Sequence, residues 1–350
     1  MKSKIIIIVS VLCLAFCSCK KDDKGNKKFY NDKNIEETIT FKRFDKALFA
    51  KPEPNLPQYL MKLQKEYPDM FAAPLTNKEY MQQIMQVATD NAMQEAVAII
   101  EKEYPSTDFL SQSLTSAFAR LKEIYPQTTL PTNVYTMLLM ASDFSYGYAN
   151  RVYMGENNGR IYYTIALDIY SLNKLHQHPY YKTYPQYMIA TLSKDYIAPD
   201  FMRMYLQNST FRKIPMNSYK DGATLLDNII EDGKYSYVVK KTLPNVDDCY
   251  ILRYTPEQMQ WVKDNEANIW AFIIQRKLMY ETDRSKYMSL IAEGPETKGL
   301  SNSPARVGNY IGYIIVDKFM KENKISIDSL MNITDATLIL NNSKYKPERR

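Results

Sequence analysis

The pattern of apolar and polar positions predicts a chain that is mostly helical, with a few short strands. Side chains alternate with a period of two over 38–44, which is typical of a strand. Apolar residues then recur at helical spacing around Leu60 and Leu63, over 77–104 and over 110–124, and each of these stretches runs into a Tyr-Pro pair that ends it.

Two further strands are predicted at 134–141 and 160–167. Between them, residues 147–159 are rich in glycine and asparagine and predict turns. The fold class that follows is α+β, predominantly helical with a small antiparallel or mixed sheet.

Helix signals are clearest in the C-terminal half. The sequence Thr-Pro-Glu-Gln at 255–258 is a capping box, and an apolar stripe follows it over 259–278. The Ser-Pro pair at 303–304 predicts a second helix start. On that helix Gly308 and Gly312 lie one turn apart and leave room for another backbone to approach closely.

The N terminus carries the features of a lipoprotein export signal. An apolar run over 5–16 is shorter than the ~20 residues of a spanning helix and is typical of a signal peptide. Ser18 and Cys19 then resemble a bacterial lipobox, whereas Cys17 fits less well because bulky Phe16 would occupy its cleavage position. A plain secretory peptide is the alternative.

We therefore expect a signal peptide over 1–18, a lipid on Cys19, a charged tether over 19–28 and a single globular domain over 29–350. The Lys/Asp run behind Cys19 resembles lipoprotein export signals of Bacteroidota. This resemblance implies anchoring by the lipid in the outer membrane, on the periplasmic face or at the cell surface.

The net charge of +6 comes from the ends of the chain. Residues 1–19 contribute +2, residues 20–28 contribute +3 and residues 344–350 contribute +3, which leaves residues 29–343 at −2. The excess positive charge therefore belongs to export and tethering, and we expect no nucleic-acid partner.

The motifs of common catalytic sites are missing. The sequence has no phosphate-binding loop, no nucleophile elbow, no dinucleotide fingerprint and no H-E-x-x-H. Its only two histidines, His176 and His178, lie beside a proline in a polar connection, which favours a surface loop over a metal site. After loss of the leader and acylation of Cys19, Cys249 is the only cysteine left, so we expect a buried free thiol.

Three carboxylates are candidates for chemistry. Asp227 and Glu231 lie four residues apart, which puts both on one helix face, either as an acid/base pair or ion site or as part of a solvated surface. Glu266 falls on the apolar stripe of the 255–278 helix. A carboxylate in that position needs a hydrogen-bond partner, and with 29 tyrosines in the chain we expect a phenol.

Several segments together resemble a known family, the gliding-motility-associated lipoprotein B family of Bacteroidota. The likeness covers most of the chain after the tether and lies in the segments 39–49, 63–71, 121–131, 165–170, 224–244, 254–283, 303–323 and 342–350. The resemblance implies an outer-membrane lipoprotein of the cell envelope that is needed for gliding, with a connection to type IX secretion.

That family is in turn distantly similar to zinc metallopeptidases. When the chain is aligned with these peptidases, residues 199–203 correspond to their H-E-x-x-H motif and Glu231 corresponds to the glutamate ligand on a later helix. Both histidine ligands of the motif are missing here, and Asp200 replaces its catalytic glutamate. The similarity implies a zincin-like scaffold without its metal site and a degenerate pocket with Asp200, Glu231 and Glu266.

Our main expectation is a non-catalytic envelope lipoprotein without cofactor or metal that acts through envelope, motility or secretion proteins. The alternatives are a peptide or cell-wall hydrolase that uses Asp200, Glu231 or Glu266, and a surface binder of small nutrients.

Overall fold

Helices make up most of the protein and surround one small mixed sheet, which confirms the predicted α+β class. A computed structural model describes residues 38–50, 55–208 and 222–347. The expected signal peptide, Cys19 and the tether lie outside these residues. Within the described ranges, no helix is both long and apolar enough to cross a bilayer.

The helices have the following bounds: α1 Phe44–Phe49, α2 Leu56–Glu66, α3 Lys78–Thr89, α4 Asn91–Glu103, α5 Asp108–Ile124, α6 Phe144–Asn150, α7 Leu172–Leu175, α8 Gln186–Ile189, α9 Lys194–Asn208, α10 Leu225–Thr242, α11 Asp248–Ile251, α12 Pro256–Asp264, α13 Glu266–Gln275, α14 Arg284–Tyr287, α15 Val307–Asn323, α16 Ile327–Asn332 and α17 Ala336–Asn342. The strands are β1 Phe41–Arg43, β2 Val134–Met137, β3 Val152–Asn157 and β4 Arg160–Ala166.

The sheet has the strand order β1-β2-β4-β3. Strands β1, β2 and β4 are parallel, and β3 pairs antiparallel with β4 at the edge. Asn158 and Gly159 join β3 to β4, and both have positive φ angles, 51° and 77°, as a two-residue hairpin turn requires. The turn chemistry predicted there is thus confirmed, whereas α6 and β3 were not predicted.

Two long helices predicted from the sequence are broken. The prediction of one helix over 77–104 is wrong, because Asp90 ends α3 and its side chain caps α4 by accepting a hydrogen bond from the Met93 amide at 2.8 Å. The predicted 255–278 helix is likewise divided at Asn265, although its capping box at Thr255 is confirmed.

Two other predicted elements are shorter than expected. The strand predicted over 134–141 ends at Met137, and the helix expected at Ser303-Pro304 begins at Val307. The residue before that helix, Arg306, has a left-handed φ of 62°.

The described residues bury two apolar clusters, and α10 contributes to both. The first cluster is formed mainly by the sheet and the helices up to α9 and the second mainly by the helices from α12 onward, while α11 and α16, like α10, contribute to both. Ile229 at the N-terminal end of α10 belongs to the second cluster and Val239 near the other end to the first. A helix that is buried on several sides has to accommodate its polar side chains by pairing them.

Close packing of α10 against α15 depends on glycine. A Cβ on Gly312 would lie 1.9 Å from the Ile229 carbonyl oxygen, and a Cβ on Gly233 would lie 2.5 Å from the Gly312 carbonyl oxygen. The predicted close approach of another backbone at Gly308 and Gly312 is confirmed. Gly312 lies against the backbone of α10, and Gly308 lies against the Leu290 carbonyl.

Candidate functional site

Helix α9 carries two charged residues into the protein interior. Every residue from Tyr196 to Leu206 is buried, and Asp200 and Arg203 are only 4% and 6% exposed. An unpaired charge at such a depth would be very costly, so both side chains must be matched by partners from neighbouring elements.

Asp200 is bound by Arg151, which lies just before β3. The Arg151 Nε donates to Asp200 Oδ2 at 2.7 Å, and the Tyr170 hydroxyl donates to the same oxygen at 2.8 Å. The Arg151 guanidinium also lies 4.0 Å from the centre of the Tyr148 ring. Burial alone would raise the pKa of Asp200, but the charge and hydrogen bond of Arg151 outweigh it and lower the pKa below its usual value.

Arg203 connects α9 to α10. Its Nη1 donates to Asp232 Oδ1 at 2.8 Å and its Nη2 donates to the Ser236 hydroxyl at 2.6 Å. Asp232 and Ser236 are four residues apart, so they lie on the same face of α10. The two helices are therefore held together by a charged hydrogen-bonded contact within an otherwise apolar interior.

Two further ion pairs share Glu293, in the connection between α14 and α15. Its Oε2 lies 3.3 Å from Arg306 Nε and its Oε1 lies 3.7 Å from Arg253 Nη1. The Tyr148 hydroxyl donates to Glu293 Oε1. Burial would raise the pKa of Glu293, but Arg306 and Arg253 outweigh it and lower the pKa. Both arginines have left-handed φ angles, 58° at Arg253 and 62° at Arg306.

We call these seven residues the arginine network: Arg151, Arg203, Arg253, Arg306, Asp200, Asp232 and Glu293. Tyr148 connects the Arg151–Asp200 pair with the Glu293 group, because the Arg151 guanidinium lies over its ring and its hydroxyl binds Glu293. Four guanidinium groups face three carboxylates, so the network carries one excess positive charge. A general acid or base works best with a pKa near the working pH. The lowered pKa values of Asp200 and Glu293 instead favour permanently ionised carboxylates that bind arginine.

A cavity of about 880 Å³ lies beside the network, and Glu293 is part of its lining. A second cavity of about 600 Å³ lies against the sheet and is lined by several tyrosines, among them Tyr146, Tyr153 and Tyr162. Asp69, which also lines the second cavity, is buried and accepts hydrogen bonds from Tyr135 at 2.7 Å and Arg160 at 2.6 Å.

The family to which the chain belongs follows from comparison with known proteins. A family model described as gliding motility protein GldB matches residues 25–347. The chain belongs to the GldB family. Its membership confirms the resemblance seen in the sequence and makes it a gliding-motility-related protein. No curated protein and no solved structure matches the chain.

The candidate carboxylates of this GldB family member lie in different surroundings. Asp200 belongs to the arginine network. Glu266, at the start of α13, accepts hydrogen bonds from the Tyr310 hydroxyl at 3.1 Å and the Tyr345 hydroxyl at 3.0 Å, which confirms the expected phenol partner. Glu231 lies half-buried on α10, and its neighbour Asp232 is the α10 carboxylate that binds Arg203.

The remaining candidates have local structural partners. Asp227 completes the capping box of α10, because its carboxylate accepts from the Thr224 amide at 2.9 Å. His178 Nε2 lies 2.8 Å from the Ala92 carbonyl oxygen. Cys249 is buried with a free thiol, as expected, and burial raises its pKa. In the described parts of the chain no three or more His, Cys, Asp or Glu side chains lie close enough together to hold a metal ion.

Most of the arginine network was missed by sequence reasoning. Asp200 was singled out only through the family resemblance, and its partner Arg151 lies 49 residues away along the chain. Asp232, Glu293 and Arg306 lie in polar stretches where a charge is unremarkable. The available signal was Arg203, a cation three residues after Asp200 in a segment rich in Met, Phe, Tyr and Leu.

Proposed function

We propose that this GldB family member is a non-catalytic, lipid-anchored protein of the cell envelope that acts through protein partners. The partners belong to the outer membrane or periplasm, in gliding or in the type IX secretion that accompanies it. Family membership over residues 25–347 supports the connection with motility. The lipobox at Cys19 supports the lipid anchor, and the Lys/Asp run behind it supports a location at the outer membrane.

The observation that carries the non-catalytic part of the proposal is the pairing of Arg203 with Asp232. In the metallopeptidase register Arg203 occupies the position of a histidine ligand, and Pro199 that of another. A guanidinium is a cation without a lone pair to donate, and a proline has no side-chain donor at all, so the residues present do not fit a zinc ion. An ion pair between α9 and α10 takes the place that a metal has in such a scaffold.

Under this proposal, the same pairing holds α9 and α10 together in the position where a peptidase of that type has its metal. A metal that joins two helices contributes directly to folding. Here Arg203 joins α9 to α10 through Asp232 and Ser236, and Arg151 joins the β3 side of the sheet to α9 through Asp200. We infer that the arginine network preserves a binding scaffold whose chemistry has been lost.

The proposal is tested in a strain that lacks the gene and in the strain complemented with a tagged copy. We expect the deletion to reduce spreading, protein secretion or viability, and the tagged protein to recover the same envelope proteins from native membranes in repeated preparations. A deletion without any of these effects, or a tagged protein that recovers no partner, contradicts the proposal.

A hydrolase of peptides or cell wall is the competing function. It predicts stoichiometric zinc in the purified protein and an activity that is lost in Glu231→Gln. Our proposal predicts neither.

A further inference from the structure

The cavity beside the arginine network combines an apolar floor with a cationic rim. Its volume is about 880 Å³, within the range of ligand-binding cavities, and it lies between α13 and the 285–299 segment. Phe272, Leu278 and Leu290 contribute to the apolar part. Arg276 and Lys298 lie at the rim and are both exposed.

The charge of the cavity is positive although two glutamates line it. Glu293 is neutralised from the interior by Arg253 and Arg306, and the arginine network as a whole has an excess of one positive charge. At the rim Lys286 is paired with Glu281 at 2.7 Å and so contributes little. The other charged residues that line the cavity are Arg276 and Lys298, which are positive, and Glu296, which is negative. Because Lys286 and Glu293 are each neutralised by partners, these three residues leave a local charge of about +1, on a body whose net charge is −2.

Arg276 is held at the side of the cavity by contacts with Phe272 and Gly299. The Arg276 guanidinium lies 4.5 Å from the centre of the Phe272 ring, which is within the range of a cation–π contact. Opposite it, Gly299 has a φ of +90°, and a Cβ there would lie 3.3 Å from the Phe272 ring and 3.5 Å from Arg276 Nη2. A glycine at this position lets the loop lie directly against the stacked pair.

The loop behind this side of the cavity is fixed by internal hydrogen bonds. Thr297 is fully buried, its hydroxyl donates to the Pro304 carbonyl at 2.8 Å, and its amide donates to the Ser303 hydroxyl at 3.2 Å. Lys298 and Gly299 follow directly. These hydrogen bonds fix the loop backbone next to Lys298 before any ligand arrives, which reduces the entropy cost of binding.

We propose that this cavity docks an acidic segment of a protein partner, in which one or two apolar side chains enter the floor and flanking carboxylates bind Arg276 and Lys298. This inference rests on the proposed function, because it supplies the contact surface for the partner. A protein segment is favoured over a small anion because the apolar floor is far larger than a phosphate or carboxylate needs. A cavity of this size takes a drug-sized group, roughly three or four residues. Positive charge at the rim selects acidic over basic sequences and accelerates association.

Binding is tested with full-length protein, purified in detergent, and a fluorescein-labelled heptapeptide in which Asp and Leu alternate. We expect fluorescence anisotropy to show saturable binding that weakens as salt rises from 0.05 to 0.5 M. In the Arg276→Glu/Lys298→Glu variant the dissociation constant rises at least tenfold. The matched control is Lys62→Glu/Lys78→Glu, which makes the same charge change at two exposed lysines away from the cavity and leaves binding unchanged.

Four results would overturn the inference. The first is equal loss of binding in the variant and the control, and the second is equal or tighter binding of a peptide with Lys in place of Asp. The third is full displacement of the peptide by millimolar phosphate, which would make the cavity a site for small anions. The fourth is binding to phosphatidylglycerol vesicles that is lost in the variant while the peptide does not compete, which would make the partner a membrane surface.

The same variants separate this inference from the proposed function. If envelope proteins are recovered equally with the wild-type protein, the cavity variant and the control, the protein has partners but the cavity does not bind them. If none is recovered with any of the three, the proposed function itself fails. The inference requires that at least one partner recovered with both the wild type and the control is lost from the cavity variant. Equal circular dichroism spectra of the three proteins establish that the loss is not unfolding.

Discussion

The ion pair between Arg151 and Asp200 allows a quantitative test of the arginine network. Asp200→Asn keeps the shape of the side chain and an acceptor for Tyr170, but it leaves the buried Arg151 guanidinium without a counter-charge. Arg151→Met keeps much of the apolar stem over the Tyr148 ring and leaves the Asp200 carboxylate unpaired. Because the two groups are 2.7 Å apart and both almost fully buried, each single variant should lose about 3–5 kcal/mol of unfolding free energy.

The double variant should be less destabilised than the two single variants would suggest. Once both charges are gone, neither side chain is a buried unpaired ion. We therefore expect Arg151→Met/Asp200→Asn to be no less stable than either single variant, which corresponds to a coupling of about 3 kcal/mol or more. Denaturant unfolding of the four proteins at pH 7, followed by circular dichroism with a common m-value, measures this coupling.

The pH dependence of stability provides an internal control for the contribution of Asp200. The pKa of Asp200 in the folded protein lies below its usual value of 3.8, so its contribution to stability is complete above that value and is lost as the pH falls through the folded pKa. The difference between the wild type and Asp200→Asn should accordingly shrink in acid. A coupling below about 0.5 kcal/mol at pH 7, or a difference that does not change in acid, would refute the assignment of a stabilising ion pair.

Three further predictions concern other parts of the protein. Glu266→Gln should lose about 1–2 kcal/mol in denaturant unfolding, because an amide cannot accept hydrogen bonds from both tyrosines through two oxygens; an unchanged stability contradicts this. Gly312→Ala should lower the free energy of unfolding by about 3 kcal/mol or more, because its Cβ would overlap the Ile229 carbonyl. The control Gly294→Ala, where a Cβ makes ordinary contacts, should change the denaturation midpoint little. Equal effects of the two substitutions would contradict the packing argument. Burial lowers the pKa of Lys234 to about 8 from its usual 10.5, so the folded state is destabilised below pH 8 and regains stability as the pH rises from about 8 toward 10. Lys234→Met should abolish that rise, and thermal melts that show the same rise in both proteins would contradict the assignment.

Local sequence signals predicted the helix ends better than the helix continuity. Pro68, Pro105 and Pro126 ended helices as expected, because a proline disfavours a helical residue before it. The break at Asp90 was not foreseen, since the apolar period continues through it and only the capping role of that aspartate reveals two helices. Helix α6 and strand β3 were hidden by glycine and asparagine, which the sequence interpretation assigned to turns.

The site could be predicted only where its chemistry is local. Glu266 was identified because a carboxylate on an apolar stripe needs partners, and its two tyrosines were present as expected. The partners of Asp200 could not be found, because Arg151 reaches it from the start of β3 and Tyr170 from the turn after β4, and no periodicity encodes how these pack on α9. The role of Glu293 could not be predicted either, because the two arginines that bind it lie 40 and 13 residues away in the sequence.

The most direct test of the central claim is complementation of the deletion strain by Arg151→Met/Asp200→Asn. This variant removes the carboxylate that would replace a catalytic glutamate and retains a folded chain if the coupling described above holds. We predict that, at protein levels equal to the wild type on an immunoblot, it restores spreading and secretion fully, because binding rather than catalysis is the function. Equal levels of folded protein with no restoration would contradict the account, because the Arg151–Asp200 pair would then be required for more than folding.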